Sequence, residues 1–212
     1  MEKIKIPLKC QCSQVQGYVH TKPQDGNNVV CFCDDCQAFA QFLGNPQNVL
    51  TENNGTELFQ ITPNKLKLTQ GKNNLACMQL SPKGLKRWYT SCCKTPVANT
   101  MNGKIAFNGI IQKFIDFDAL DISKQDAIGE VSDYCMSRFA KGELPENSHP
   151  KYPLGITIKI FKMILLGYVF KTYRPNEFFS EETGEPVIAP VVLTKEQRDE
   201  IMIKVNMLSD ED

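Results

Sequence analysis

The most informative stretch of the chain is Cys31-Phe32-Cys33-Asp34-Asp35-Cys36. Side chains at positions i and i+2 of a strand point to the same face, so Cys31 and Cys33 can reach one metal ion. A turn through the two aspartates would then bring Cys36 to the same ion. Three thiolates within six residues are a ligand type and spacing typical of zinc sites. The pattern therefore predicts a zinc site at Cys31, Cys33 and Cys36.

Two further cysteine pairs, Cys10-Gln11-Cys12 and Cys92-Cys93, are candidates for a second site. Cys10 and Cys12 again share a strand face. Cys92 and Cys93 are adjacent, and adjacent residues of an extended strand point to opposite faces. Both can therefore bind one ion only if the backbone turns between them.

Other interpretations of the nine cysteines remain open. Free cysteine is usually a small buried hydrophobic residue, and this is what we expect for Cys77 and Cys135. A Cys-x-x-Cys spacing, as at Cys33 and Cys36, is also that of a redox pair. A disulfide framework is disfavoured because the first ten residues contain no apolar signal sequence, so we expect a cytoplasmic location with reduced thiols.

Composition excludes several classes of protein. The 212 residues include 24 Lys+Arg and 24 Asp+Glu, which gives no net charge, and 42% are hydrophobic. The hydrophobic fraction excludes disorder, and the neutral balance argues against a dedicated binder of nucleic acid or of acidic membranes. The most apolar stretch, residues 156–170, is too short to span a bilayer and contains Lys159 and Lys162, so no membrane partner is expected.

The pattern of elements predicts an α+β fold. Residues 1–115 indicate a mainly β unit, and residues 116–212 indicate a mostly helical extension packed on it. The boundary could be a domain junction or the start of an appendage on the same core. Strands are predicted at residues 4–8, 58–61, 66–68, 75–80 and 87–90, and the strands at 66–68 and 75–80 are expected to form a hairpin around Gly71. Helices are predicted at residues 126–141, at residues 156–169 and after a capping box at Thr194.

Three segments together carry a resemblance to a known family. They are Lys9-Cys10-Gln11-Cys12, residues 30–37 around the Cys31 cluster, and Arg87-Trp88-Tyr89-Thr90-Ser91-Cys92-Cys93-Lys94-Thr95-Pro96. In this order they resemble the signature of the glutathione-dependent formaldehyde-activating enzymes, a family that also includes centromere protein V. The resemblance covers about residues 5–112.

The resemblance implies a zinc-bearing β-tent, in which small antiparallel sheets converge on the metals. It implies a structural zinc held by the first Cys-x-Cys and a late Cys-x-x-Cys, and a catalytic-type zinc at the Cys31 cluster. Aligned through Thr95-Pro96, the late motif falls on Thr90 and Cys93, so a threonine replaces one ligand. The first site could then be completed by Cys92, completed by another group, or empty.

Two functions follow as hypotheses. The first is an enzyme similar to a carbon–sulfur lyase, in which an open zinc position takes a small thiol such as glutathione or its formaldehyde adduct. Three thiolates leave zinc one ligand short, and a soft site favours sulfur there. Arg87 and Lys94 are the candidate cations beside it, and Asp34 and Asp35 the candidate hydrogen-bond acceptors. The second is a non-catalytic, zinc-stabilised module whose extension binds a partner.

Partners other than a small thiol are few. The apolar surface of residues 156–170 must be covered, either by the β unit or by a second subunit in a homodimer. Nucleic acid is not expected. The sequence lacks the phosphate-binding, zinc-protease and serine-hydrolase motifs, which excludes the commonest alternatives.

Overall fold

The computed structural model of the protein describes residues 2–210, which form a mixed α+β fold with two sheets. The strands are β1 Ile4–Lys9, β2 Gln16–Thr21, β3 Asn27–Cys31, β4 Thr56–Ile61, β5 Leu66–Gln70, β6 Leu75–Gln79, β7 Lys86–Thr90, β8 Pro96–Thr100, β9 Asn108–Ile111, β10 Asp133–Cys135, β11 Ser148–His149 and β12 Val191–Val192. The α-helices are α1 Asp34–Leu43, α2 Lys124–Ile128, α3 Leu154–Val169 and α4 Lys195–Asp210.

The two sheets differ in size and in the way the chain enters them. The smaller sheet is antiparallel, in the order β1-β2-β5. The larger has nine strands in the order β11-β10-β3-β4-β9-β8-β7-β6-β12. Of its seven inner strands, six come from the first 115 residues and the seventh is β10 of the extension. The extension also supplies both edge strands, β11 and β12. Strand β10 runs parallel to β3 and sets Cys135 opposite Cys31.

The strands expected from alternating hydrophobic residues are all present, but the hairpin around Gly71 is wrong. Strand β5 pairs with β2 in the small sheet, whereas β6 pairs with β7 in the large one. Gly71 has a positive φ of 72°, and a Cβ there would lie 2.0 Å from the carbonyl oxygen of Gln14. Only glycine lets the chain pass this close, so the turn transfers the chain between sheets.

The helix expected over residues 126–141 is also wrong. Helix α2 ends at Ile128, where Gly129 adopts a positive φ of 83°. The chain then forms β10 and a short 3-10 turn at Ser137–Phe139. Parallel pairing with β3 buries Cys135 completely, and this tertiary pairing overrides the local helical periodicity.

The last two helices form as the sequence predicts. Helix α3 covers the expected apolar stretch, and a capping box opens α4. The Gln197 N–H donates to the Thr194 hydroxyl at 3.2 Å, and the Thr194 N–H donates to the Gln197 side chain at 3.0 Å. The acidic end of the sequence, Ser209-Asp210-Glu211-Asp212, predicts fraying over residues 209–212. Helix α4 includes residues 209 and 210, and the other two lie outside the described part.

The extension is packed into the same core as the β unit. Phe178 and Phe179 contact the ring of Trp88, with centroid separations of 4.9 and 6.1 Å. Ile156 and Val205 of the last two helices join a second buried cluster together with α1. Within residues 2–210, no helix has both the length and the apolar character needed to cross a membrane.

Candidate metal centres

Four cysteines from two distant loops form one compact cluster, which we call the four-cysteine centre: Cys10, Cys12, Cys92 and Cys93. The Sγ of Cys12 lies 3.6 Å from that of Cys10 and 3.3 Å from that of Cys92. The Cys10–Cys92 and Cys92–Cys93 sulfur distances are 4.0 and 3.8 Å. The structure therefore brings together every cysteine that the sequence assigned to the first site.

Local backbone turns explain how Cys92 and Cys93 can point to one place. They lie in the turn between β7 and β8, where Lys94 has a positive φ of 57° and its N–H donates to the Thr90 carbonyl at 2.8 Å. After β1, Ser13 has a φ of 62° and closes a similar turn onto the Cys10 carbonyl. These turns supply the change of direction that a straight strand could not give.

The spacing of the four sulfurs fits a tetrahedral metal ion. Zinc with Zn–S bonds of about 2.3 Å places its sulfurs about 3.8 Å apart. The four distances above lie between 3.3 and 4.0 Å, and all four sulfurs lie within 4.8 Å of one another. The Val15 N–H also donates to the Cys10 sulfur at 3.2 Å, as expected for a thiolate ligand.

Thr90 stands beside the cluster and not in it. Its hydroxyl lies 3.3 Å from the Cys93 sulfur, and the Thr95 hydroxyl lies 3.1 Å from the same atom. Burial raises the pKa of Cys93, but hydrogen bonds from these two hydroxyls and from the Cys12 backbone outweigh it and lower the pKa to about 5. Thr90 thus stabilises the Cys93 thiolate.

A second cluster, the three-cysteine centre, consists of Cys31, Cys33 and Cys36, whose sulfurs all lie within 4.8 Å of one another. Cys31 ends strand β3, Cys33 is the residue before helix α1, and Cys36 lies in the first turn of that helix. The expected turn through the aspartates is therefore a helix start. The positive end of the helix dipole favours negative charge nearby, which suits thiolates.

A buried cation accompanies the three-cysteine centre. Arg87, only 2% exposed, directs its guanidinium to the Cys36 sulfur at 3.9 Å and to the Asp35 carboxylate at 3.8 Å. It also donates to the Asn99 side chain at 3.4 Å. An arginine is rarely buried without a negative partner, so Arg87 and the thiolates stabilise each other.

The electrostatics of the cluster follow from these contacts. Hydrogen bonds from the Cys31 and Cys33 thiols, reinforced by Arg87, hold the pKa of Cys36 well below its ordinary value despite burial. Hydrogen bonds with Cys31 and Cys36 raise the pKa of Cys33. Burial alone would lower the pKa of Arg87, but the charges of Cys36, Cys33 and Asp35 raise it. Negative charge is therefore concentrated on the sulfur nearest the arginine.

Tyr152 is the residue that sequence reasoning missed. Its hydroxyl donates to the Cys31 sulfur at 3.6 Å, although 121 residues separate the two in the chain. Burial raises the pKa of Tyr152, and the charges of all three cysteines raise it further, so the phenol remains protonated. Within residues 2–210, no histidine, carboxylate or fourth cysteine completes this cluster.

Comparison with known proteins adds a family assignment. Residues 1–190 match the model of a family of unknown function, DUF6151. The chain belongs to this family. No curated protein matches the chain. A crystal structure of a Rhodobacter sphaeroides protein, a structural genomics target, matches at 17% identity with a TM-score of 0.38, over 59% of this chain and 97% of that one.

The remaining predicted residues of the site have other partners. Lys94 lies over the Tyr89 ring, 5.0 Å from its centroid, and lines a cavity of about 640 Å³ beside the four-cysteine centre. Asp35 pairs with Arg87, whereas the Asp34 carboxylate accepts from the Asp35 backbone N–H at 2.9 Å. Of the two candidate cations, only Arg87 contacts the three-cysteine centre. Cys77 and Cys135 are buried in the core, as expected.

Proposed function

We propose that the protein binds zinc at both centres, and that the three-cysteine centre binds a small thiol or thiol adduct in the manner of a carbon–sulfur lyase. The observation that carries this proposal is the contrast between the two clusters. Cys10, Cys12, Cys92 and Cys93 form a complete tetrahedral set, whereas Cys31, Cys33 and Cys36 supply three sulfurs only. Closed sites are typical of structural zinc, and sites one ligand short are typical of catalytic zinc.

Charge supports an additional sulfur ligand at the three-cysteine centre. Three thiolates and a divalent ion carry one net negative charge, which the buried Arg87 guanidinium offsets. Asp35, the other anion at Arg87, also pairs with Arg198 at 3.6 Å, so a further thiolate would leave one uncompensated charge, not two. The arginine therefore makes an anionic ligand acceptable at a site that would otherwise repel it.

The residues around the centre have separable tasks. Zinc, when bound, would supply a soft acceptor for sulfur. The three thiolates would hold the ion, and Arg87 would stabilise their charge. The Tyr152 hydroxyl, already within hydrogen-bonding distance of Cys31, could instead donate to the oxygen of a bound hydroxymethyl thioether. In the forward reaction the thiol sulfur bonds to the carbonyl carbon of formaldehyde and the thiol proton moves to the oxygen; the reverse splits the same bond.

The resemblance to formaldehyde-activating enzymes gives this proposal its chemistry. On this proposal the fold is a variant of the zinc β-tent, with Cys92 taking the role that the family gives to the residue at Thr90. Glutathione is the probe of choice because its thiol is the partner that the resemblance implies.

Cobalt substitution tests the proposal directly. Thiolate-to-cobalt absorption reports the number of bound sulfurs, so glutathione added to the Co²⁺ protein should increase it. Cys33→Ala should abolish the response, and Cys77→Ala, which removes a buried sulfur outside both centres, should preserve it. Metal content measured after gel filtration controls for removal of cobalt by the thiol. An unchanged wild-type spectrum would contradict thiol binding.

A second function, a non-catalytic zinc-stabilised module, is favoured by one observation. Cys31 and Cys36 are buried, and the Tyr152 hydroxyl of the extension donates to the Cys31 sulfur. If Tyr152 closes the site permanently, Tyr152→Phe should change the cobalt spectrum while glutathione does not. The reverse result supports the thiol-binding function.

A further inference from the structure

Helix α3 carries a wide apolar face that no part of the described chain covers. Ile156 and Gly167 are buried against the body of the protein, and Gly167 lies directly against Ala106. The opposite side is exposed, with Phe161 at 66% and Tyr168 at 71%. The exposed face consists of Leu154, Ile158, Phe161, Leu165, Tyr168 and Val169.

The spacing of these residues makes the face continuous. Leu154, Ile158, Phe161, Leu165 and Tyr168 follow each other at intervals of four, three, four and three, so they form one stripe along the helix. Monomeric soluble proteins rarely leave contiguous apolar stripes of this length in water, which marks the stripe as an interaction surface.

Charge indicates what the surface meets. Residues 147–176 contain five basic side chains and no acidic one: Lys151, Lys159, Lys162, Lys171 and Arg174. Since the whole chain balances 24 basic against 24 acidic residues, the remainder carries 19 basic and 24 acidic side chains. The neutral total therefore conceals a positive segment at the apolar helix. None of these five cations forms an ion pair with a described residue, since the neighbouring Glu177 pairs with Lys67 and Lys72 instead.

A groove beside α3 combines the same two properties. It has a volume of about 470 Å³ and lies between the helix and the strand connections at residues 24–27 and 62–65. Lys159 and Lys162 line it together with Leu166 and Phe170. Cations next to apolar side chains fit a molecule that is anionic at one end and apolar at the other.

We propose that α3 lies in the surface of an anionic lipid membrane, with the exposed stripe among the acyl chains and the lysines at the headgroups. A helix with an apolar face, flanking lysines and too little length to span is typical of interfacial membrane binding. A second copy of the chain fits less well, because pairing two α3 helices would bring two positive segments together without acidic partners. This proposal is independent of both cysteine centres and departs from the absence of a membrane partner expected from the net charge.

Vesicle co-sedimentation of the full chain tests the proposal. Vesicles of phosphatidylcholine containing 30% phosphatidylserine should bind the protein, phosphatidylcholine alone should bind it much less, and added salt should weaken binding. Phe161→Ser/Leu165→Ser should reduce binding at least roughly a hundredfold, because two apolar side chains are lost. Ile203→Ser/Met207→Ser, which alters two exposed residues of α4, should have little effect.

Charge variants provide the second arm. Lys159→Gln/Lys162→Gln should reduce binding to the anionic vesicles roughly 25-fold, since each basic residue near such a surface contributes about a fivefold change. Lys83→Gln/Lys195→Gln removes the same charge from exposed positions outside the segment and serves as the control. Far-ultraviolet circular dichroism should be unchanged in all four variants because the altered side chains are exposed.

The outcomes separate the candidate occupants. Loss of anionic-vesicle binding in both α3 variants and in neither control supports the proposal. Absence of binding by the unaltered protein, or equal binding by all variants, overturns it. Light scattering that finds a dimer abolished by Phe161→Ser/Leu165→Ser, without vesicle binding, also overturns it and assigns the face to a second copy.

Discussion

Removing the four-cysteine centre should lower the free energy of unfolding by an amount that depends on the length of chain between its two cysteine pairs. Cys12 and Cys92 are both exposed, so Cys12→Ser/Cys92→Ser creates no cavity and leaves Cys10 and Cys93 without a complete site. The two altered residues are 80 positions apart in the chain. A cross-link closing a loop of that length restricts the unfolded chain by about 4.5 kcal/mol at 25 °C.

That free energy corresponds to a large change in melting temperature. For a chain of this size, each kcal/mol shifts the Tm by about 2–4 °C, so the double variant should melt roughly 9–18 °C lower. Differential scanning calorimetry of the zinc-loaded proteins measures the difference. A chelator would also remove zinc from the three-cysteine centre, so it should lower the Tm of both proteins, and that of the wild type by roughly 9–18 °C more than that of the variant.

Cys77→Ala is the matched control, because it removes a buried sulfur that belongs to neither centre. It should cost no more than an ordinary core substitution, about 1 kcal/mol. A double variant that melts within about 2 °C of the wild type would refute the reasoning, because the cluster would then contribute less than about 1 kcal/mol to folding.

Three other predictions address different parts of the molecule. Gly167→Ala should destabilise the protein, because its Cβ would lie 2.1 Å from the Ala106 side chain. A Cβ at Gly155 on the same helix would meet nothing within 4 Å, so Gly155→Ala should be neutral or stabilising by up to about 1 kcal/mol. Equal melting temperatures of the two variants would contradict this. In zinc-free protein at pH 7, Cys93, with a pKa of about 5, is a thiolate, whereas Cys92, with a pKa of about 12, is protonated. Iodoacetamide should therefore alkylate Cys93 first, which peptide mass spectrometry can detect. The preference should disappear as the pH falls through 5, because Cys93 is then protonated as well. Truncation after Asp116 removes three strands of the large sheet and should give insoluble or molten protein; a soluble fragment with a cooperative melt would show instead that the β unit folds independently.

The clustering of the three cysteines could be predicted because they are neighbours in sequence. A strand end followed by the first turn of a helix brings Cys31, Cys33 and Cys36 together without any long-range contact. Tyr152 could not be predicted, since it reaches the cluster only after the extension has folded back over 121 residues. Strand β10 was missed for the same reason: its partner β3 lies about 100 residues earlier, and local periodicity contains no information about it.

The four-cysteine centre lies between these cases. The residue types indicated a metal, but the participation of Cys92 depended on a backbone turn that adjacent cysteines do not encode. The positive φ of Lys94 supplies that turn. Glycine and asparagine are the residues that usually indicate a positive φ, and lysine is uncommon in this conformation. The lysine at position 94 therefore gave no indication of the turn.

The edges of the nine-stranded sheet have a consequence for synthesis of the chain. Both edge strands, β11 and β12, come from the last third of the sequence, and each has only two residues. Until that third leaves the ribosome, the strands β10 and β6 have unpaired backbone groups that could pair with other nascent chains. The last third of the chain therefore covers the exposed edges of the sheet and limits aggregation. Slowing its translation should make the newly made protein more dependent on chaperones.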